Sequence, residues 1–487
     1  MRRETPLFAA ALVCLAMSLS HAAAPTIERS VVRIVNHEQR PSWYAPWSGG
    51  TVRQVTGSGF VVEGGLIMTS AHVVSDSRFL ELFLYGDPNP HEGRVIIQGH
   101  DCDLALIRPV EPALLDGVPA LPLGGLPALR STVETYGYPS GGDQISSTRG
   151  VVSRIDHQLY VHSAIDGHLA VRTDAAINRG NSGGPVVQEG RIVGVAFQNN
   201  EQLQGVGFFI PTEVIRHFLT DAKDGVYDGY PDLGMRAATL ENQAARRMAG
   251  MQDGESGVRV DWIAPGGSAE GRLRIGDILL RIEGQPIAND GSIATGELRL
   301  PYGLLVDRRQ IGETLSLGIL REGARKDLAI PLKGLPAKPH WSNQYDRRPR
   351  YFIYAGLVFV PLDREMVKTF GDDWVSDADS ELTYELLFRP IGEPELLKKE
   401  WIVLLRRLDN PVNANISFFK NILVERVNGR PIDSLEGLVR AIEENKGPYH
   451  VFEFAYFGRL AVLDREAAER ANPQILRDYS VPKDRNL

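Results

Sequence analysis

The chain has 487 residues, 43% apolar and 23% charged, with 49 Gly and 30 Pro, a globular composition that excludes coiled coil, collagen-like repeat and wholesale disorder. At about 150 residues per domain, that length calls for about three domains. The 53 Lys and Arg against 61 Asp and Glu leave a net charge of −8, which argues against a nucleic-acid partner, because such binders carry a basic footprint.

Arg2 and Arg3 precede an uncharged run from Leu7 to Met17 and small residues from Ser20 to Ala24, the three-part layout of a secretory signal peptide. Cleavage after Ala22 or Ala24 fits, and Pro25 favours Ala22, so residues 1–22 are expected to be removed. The run is too short to span a bilayer and no later segment is long enough. A soluble mature protein, periplasmic or otherwise exported, is therefore expected. Cys14 falls in the removed run and leaves Cys102 alone, so no intramolecular disulfide is expected.

From 26 to 227 the chain reads as short β-rich runs broken by Gly and Pro, such as Ser30 to Val35, Gly59 to Val62 and Arg191 to Ala196, a spacing that suggests barrels or sandwiches. Trp43 and Trp47 mark an aromatic loop that serves either a neighbouring subunit or substrate, or local packing.

Three motifs carry chemistry in this region. His72 lies in Met68-Thr69-Ser70-Ala71-His72-Val73-Val74, Asp103 in Asp101-Cys102-Asp103-Leu104-Ala105-Leu106-Ile107, and Ser182 in Gly180-Asn181-Ser182-Gly183-Gly184-Pro185. A serine hydroxyl attacks poorly near neutral pH unless a base takes its proton; histidine titrates in that range, and an aspartate orients its ring. Asp101 competes for the histidine at period-2 spacing, and Asp103 is favoured because it leads the apolar strand. The N–H groups of Gly180 and Ser182 are placed to hold an oxyanion, with Gly183 and Gly184 keeping the nucleophile exposed.

Further on, Ile278 to Ile287 echoes Leu423 to Ile432, each a strand, a tight Gly turn and a return through Pro-Ile. Asp433 and Glu436, spaced close to a capping box at a helix start, add to the case for a duplication. Between the two units, the Pro- and Arg-rich stretch 336–350 reads as a linker.

The three motifs, in the order His, Asp, Ser on a β-rich domain, resemble the chymotrypsin-like proteases and specifically the HtrA/Deg family. Gly57-Ser58-Gly59-Phe60, Gly137-Tyr138-Pro139-Ser140-Gly141-Gly142 and Asp174-Ala175-Ala176-Ile177-Asn178 share that resemblance. In the last third, Tyr354-Ala355-Gly356-Leu357-Val358-Phe359 and Leu460 to Glu466 are similar to plant-type Deg proteases. The resemblance implies an ATP-independent serine endopeptidase made of two six-stranded barrels followed by PDZ domains, with Ile177 lining the primary specificity pocket. Arg179 departs from it where many relatives carry Pro, which bears on how the oxyanion loop orders. Neither a phosphate-binding G-x-x-x-x-G-K-[ST] loop nor H-E-x-x-H is present, so no cofactor or metal is expected.

Leu233-Gly234-Met235 resembles the carboxylate-binding loop of a PDZ domain, supported by Gly276-Asp277-Ile278-Leu279 and Glu283-Gly284 downstream. Ala355-Gly356-Leu357-Val358 stands in the same relation to the last unit, whose long charged stretch 365–410 leaves its groove open, blocked or used for assembly.

The chain is thus expected to be mainly β: a chymotrypsin-like double β-barrel protease domain at 26–227, a PDZ domain at 229–335, the linker 336–350, and a second PDZ-like α+β domain with a C-terminal extension at 351–487. Its expected partners are unfolded or misfolded polypeptides and C-terminal peptides, and the family implies a homo-oligomer built from trimers. A peptide-binding chaperone or scaffold with little proteolysis, or a dedicated processing protease, is the alternative.

Overall fold

The computed structural model describes residues 27–139, 142–199, 206–336, 338–416, 420–456 and 458–487, so the signal-peptide reading lies outside the described residues, as do Ser140 and Gly141. Valine and isoleucine dominate β1 (Val31–Glu38), which is largely buried. With β2 (Arg53–Val62), β3 (Leu66–Thr69), β4 (Ser77–Phe83), β5 (His91–Gly99) and β6 (Leu104–Pro109) it closes a barrel in the order β1-β2-β3-β6-β5-β4. A second closed barrel, β10-β11-β12-β9-β8-β7, is built from β7 (Thr132–Gly137), β8 (Ser146–Leu159), β9 (Gly167–Thr173), β10 (Pro185–Gln188), β11 (Arg191–Asn199) and β12 (Gly207–Pro211).

Side-chain alternation sorts the apolar residues of the first barrel into two sets. Val32, Ile34, Val61, Ile67, Ala105 and Ile107 fill its own interior. Val31, Phe60, Val62, Met68, Leu104 and Leu106 instead join the core that includes the second barrel. Both faces of these strands are buried, which is why they read as continuous apolar runs. Cys102 belongs to that shared core, fully buried, with its sulfur 3.2 Å from the Tyr227 hydroxyl. Burial and the nearby Asp101 hold its thiol well above the ordinary range, so it is a packing residue rather than a reactive one.

Two further units follow. The first contains β13 (Met235–Thr239), β14 (Val258–Ile263), β15 (Ile278–Ile282), β16 (Gln285–Pro286), β19 (Thr314–Arg321) and β20 (Ala324–Pro331) in the order β13-β14-β15-β19-β20, with β16 on β15; β17 (Ser292–Thr295) and β18 (Leu298–Pro301) form a separate hairpin. The last unit contains β21 (Tyr351–Tyr354), β22 (Leu357–Pro361), β23 (Ile402–Arg407), β24 (Ile422–Val427), β25 (Arg430–Pro431), β26 (Tyr449–Phe454), β27 (Leu460–Asp464) and β28 (Arg485–Asn486), ordered β27-β26-β24-β23-β22-β21-β28 with β25 on β24. The internal echo is a shared hairpin: Ile282 pairs Gln285 across Glu283-Gly284, and Val427 pairs Arg430 across Asn428-Gly429. All four turn residues have positive φ, as a two-residue type I′ turn requires.

The two units differ at one edge. β13 pairs only with β14, whereas β22, its counterpart in strand order, is paired on both sides by β21 and β23. Ala355 (φ +47°) and Gly356 (φ +83°) are the two-residue turn of the β21–β22 hairpin, and the Asn413 side chain donates to the Ala355 and Leu408 carbonyls at 2.7 and 2.8 Å. Among the open alternatives for this unit the structure shows a covered edge: the strand-addition position on β22 is taken by the chain itself. Part of the stretch 365–410 folds into short helical turns whose Met366, Val367, Leu382 and Leu386 pack on the same unit.

The aromatic loop also finds its partner within the chain. Trp47 packs with the apolar cluster of the last unit and meets Tyr351 edge-on at 6.5 Å, while the Arg406 guanidinium lies 4.4 Å over the Tyr44 ring. Among the described residues, no helix is long and apolar enough to cross a membrane.

Candidate active site

A four-residue helix, α1 (Ala71–Val74), follows β3 and carries His72, whose side chain is 30% exposed. Asp103 sits in the turn immediately before β6, in the left-handed region at φ +53°. One of its carboxylate oxygens accepts the His72 backbone N–H at 2.8 Å, and the other lies 2.7 Å from His72 Nδ1. The Ala71 N–H also donates to the Asp103 carbonyl, at 3.1 Å. A buried carboxylate on Nδ1 favours the proton there and leaves Nε2 as the acceptor.

The period-2 argument for Asp101 fails because both aspartates lie in a turn rather than on a strand face. Asp101 instead accepts the Tyr227 hydroxyl at 2.6 Å and the Cys102 and Tyr230 N–H groups at 2.9 and 3.1 Å.

Electrostatics follow the geometry. Burial alone pulls the His72 pKa down, but the Asp103 carboxylate and its hydrogen bond outweigh that, and the ring titrates above its ordinary 6.5. For Asp103, burial pushes upward, while the charge of His72 and the hydrogen bonds from its ring and backbone hold the carboxyl below its ordinary 3.8.

Ser182 lies in the loop between β9 and β10. Its carbonyl accepts the Ser58 N–H at 2.9 Å, the Ser58 hydroxyl donates to the Gly180 carbonyl at 2.7 Å, and Thr69 Oγ1 donates to the Ser58 carbonyl at 2.7 Å. Ser58 was legible only as part of a motif, yet it braces the whole serine loop and accepts the Tyr138 N–H at 2.9 Å. The site is brought to the barrel seam: a Cβ on Gly57 would fall 2.4 Å from the side chain of Val73, next to His72, and 3.2 Å from the Ser182 carbonyl. The Ser182 hydroxyl lies 3.5 Å from the Phe197 carbonyl. Among the described residues, the N–H groups of Gly180 and Ser182 have no backbone carbonyl partner.

Gly183 has φ +82°, and a Cβ there would stand 2.1 Å from Thr69 Oγ1 and 2.2 Å from the Ser58 carbonyl. Gly183→Ala must therefore displace the Ser182 loop. We expect it to slow labelling of Ser182 by a serine-directed fluorophosphonate by about 10²-fold or more, the effect of a lost oxyanion donor, while circular dichroism stays native.

Ile177 is 3% exposed, and its terminal carbons would lie 2.8 Å from a Cβ on Gly207, at the start of β12. Arg179 is exposed. Leu233 is buried in its own unit; Gly234 donates its N–H to the Asp232 carboxylate at 2.7 Å, and Met235 opens β13. The residues that the sequence did not flag are His162, whose ring centre is 6.2 Å from that of His72, and His100, whose Nδ1 is 2.9 Å from His162 Nε2.

Residues 57–195 match the family model of the trypsin-like peptidase domain, and residues 341–486 match that of the PDZ domain. Protease Do-like 4, mitochondrial, of Arabidopsis thaliana is 35% identical over 85% of this chain and 76% of its own length. Protease Do-like 2, chloroplastic, of the same plant is 34% identical over 94% of this chain and 74% of its own. The solved HtrA-type protease AlgW with tripeptide shares the fold at 23% identity, with a TM-score of 0.50 over 63% of this chain and 94% of that one. Two closed barrels, a trypsin-like peptidase domain, a C-terminal PDZ domain and relatives along almost the whole length converge: the chain belongs to the Do-like (HtrA/Deg) family of serine-type endopeptidases.

Proposed function

We propose that this enzyme cleaves unfolded or damaged polypeptides without ATP, with Ser182 as nucleophile, His72 as general base and then general acid, and Asp103 as the group that orients the ring. The observation that carries this reading is the His72–Asp103 contact at 2.7 Å, with Gly57 wedged between Val73 of the same helix and the Ser182 carbonyl. Ser182 Oγ attacks the scissile carbonyl while His72 Nε2 takes its proton; the oxyanion is held by the Gly180 and Ser182 N–H groups; His72 then protonates the leaving amine, and water repeats the cycle on the acyl-enzyme. Ile177 lines the pocket for a small or medium apolar side chain before the cut.

The peptide-binding role is assigned to the first sheet unit. Its strand order matches that of the core of the C-terminal PDZ domain, and β13, just past Leu233-Gly234-Met235, keeps the open edge that strand addition needs. A Cβ on Gly234 would lie 2.8 Å from Gly267 Cα. Gly234→Val is expected to weaken binding of a C-terminal peptide about tenfold or more, read by fluorescence anisotropy, with cleavage of a short peptide unchanged.

A homo-oligomer built from trimers, and a compartment reached across a membrane, complete the reading. Membrane-bounded compartments also appear in the names of the mitochondrial and chloroplastic relatives. The deciding experiment is fluorophosphonate labelling together with cleavage of an unfolded casein-like substrate. A mature protein that neither labels nor cleaves would overturn the proposal and favour a peptide-binding scaffold.

A further inference from the structure

The stretch 336–350 does not hang free between units. Lys338 pairs with Asp166, and the residues after the short helix Lys338–Trp341 run across the protease barrels beside His72. Tyr345 stacks on His162 with ring centres 4.0 Å apart and planes at 16°, and its hydroxyl donates to the His162 carbonyl at 2.9 Å. The Asn343 side chain donates to that same carbonyl at 2.9 Å, and its backbone N–H donates to the Ser163 carbonyl at 3.0 Å.

The next residue reaches the other two segments. Asp346 and Asp76 exchange hydrogen bonds, each backbone N–H donating to the other's carboxylate at 2.8 Å. Asp346 Oδ2 also lies 3.2 Å from His100 Nε2. Asp76 stands just past α1, which holds His72; His100 opens the turn that holds Asp103; His162 lies in the loop between β8 and β9. Asn343, Tyr345 and Asp346 of one linker thus contact three protease segments near the His72–Asp103 pair: the His162 loop, Asp76 past α1, and His100 in the turn before Asp103.

We infer that Asn343 and Tyr345 are positioning residues for catalysis, holding His162 and its loop against the His72–Asp103 pair and so tying catalytic geometry to the linker between the two C-terminal units. This rests on the reading of His72, Asp103 and Ser182 as the catalytic residues. Neither linker side chain contacts a reacting atom; each acts through the His162 carbonyl or ring.

The groups around His162 are His100, His72, Asp103, Tyr345 and Arg40, whose guanidinium lies 5.8 Å over the Tyr345 ring. Burial drives the His162 pKa down to about 3, with the Asp103 charge opposing and the neighbouring cations assisting, so at working pH its ring is neutral. Catalytic alignment is intolerant of shifts near 1 Å, which cost up to about 10²-fold.

The test uses the full-length mature enzyme. Asn343→Ala combined with Tyr345→Phe removes both donors to the His162 carbonyl and keeps the ring stack; Tyr345→Ala removes the stack as well. We expect the double variant to lower kcat on a short peptide about tenfold and Tyr345→Ala about 10- to 100-fold, with KM unchanged. Tyr345→Phe alone should recover most of the activity. The low-field proton resonance of His72 Nδ1–H should move or broaden in the impaired variants, a signature that a loss of folded protein would not produce. If the variants label with fluorophosphonate at the parental rate and keep the parental resonance, the linker inference fails while the triad stands. If the parent itself does not label, the triad reading fails instead. A kcat loss with an unaltered low-field proton also overturns the inference, because the linker would then act elsewhere.

Discussion

Ser182→Ala is expected to lower kcat by about 10⁶-fold while leaving the fold and the binding of unfolded chains intact. The hydroxyl is the only part of Ser182 lost, and the loop around it is held by the Ser58 side chain and by main-chain groups that the substitution leaves in place. The Ser182 carbonyl still accepts the Ser58 N–H, and the Gly183 N–H still donates to the Ala196 carbonyl at 2.7 Å. The variant should therefore unfold at the parental temperature, fail to label with a fluorophosphonate, and retain substrates long enough to be isolated with them. Single-turnover hydrolysis of a labelled casein-like substrate measures the loss. Residual turnover within about tenfold of the parent would remove Ser182 from the nucleophile's role.

Asp103→Asn is expected to cost about 10⁴-fold in kcat with little change in KM. The carboxylate now serves two donors, the His72 backbone N–H at 2.8 Å and Nδ1–H at 2.7 Å. Asparagine has a single acceptor oxygen. If that oxygen stays on the backbone N–H, its NH₂ faces Nδ1 and forces the proton onto Nε2, the nitrogen that must receive the serine proton. The pH profile supplies an independent check. His72 acts as a base only when neutral, so kcat/KM of the parent should fall as pH drops through a midpoint above 6.5, where the Asp103 charge holds the ring. Without that charge, burial dominates and favours the neutral ring, so the acid limb of the residual activity should move below 6.5. An unmoved acid limb would mean that Asp103 does not set the titration of His72.

Much of this site could be read from short segments. His72, Asp103 and Ser182 each sit in a local motif whose neighbours reveal its role: an apolar strand before or after, or glycines that permit a tight exposed turn. The two matching hairpins at Ile278–Ile282 and Ile422–Val427 were legible for the same reason, since a strand and its two-residue turn are written within about ten residues. Of Asp101 and Asp103, it is Asp103 that meets His72, for a reason that spacing does not carry. Their spacing was read as a strand face, whereas a left-handed residue at 103 turns one carboxylate to His72 and leaves the other with Tyr227.

Beyond those segments, contacts between distant parts of the chain governed the outcome. Tyr345 and His162 are 183 residues apart, and Asp346 and Asp76 are 270 apart. Nothing near either partner announces such a contact, because aromatic stacks and carbonyl acceptors carry no sequence period. The edge of β22 is covered locally, by β21 across the Ala355-Gly356 turn, whereas β28, at the very end of the described chain, returns over a long separation to pair with β21. Local residue order therefore specified the chemistry and the strands, which depend on steric and hydrophobic patterns a few residues long. Which loop buried Trp47 and which linker reached the His72–Asp103 pair were set by long-range packing, in which apolar surfaces and unpaired backbone groups find partners only after the chain has closed on itself.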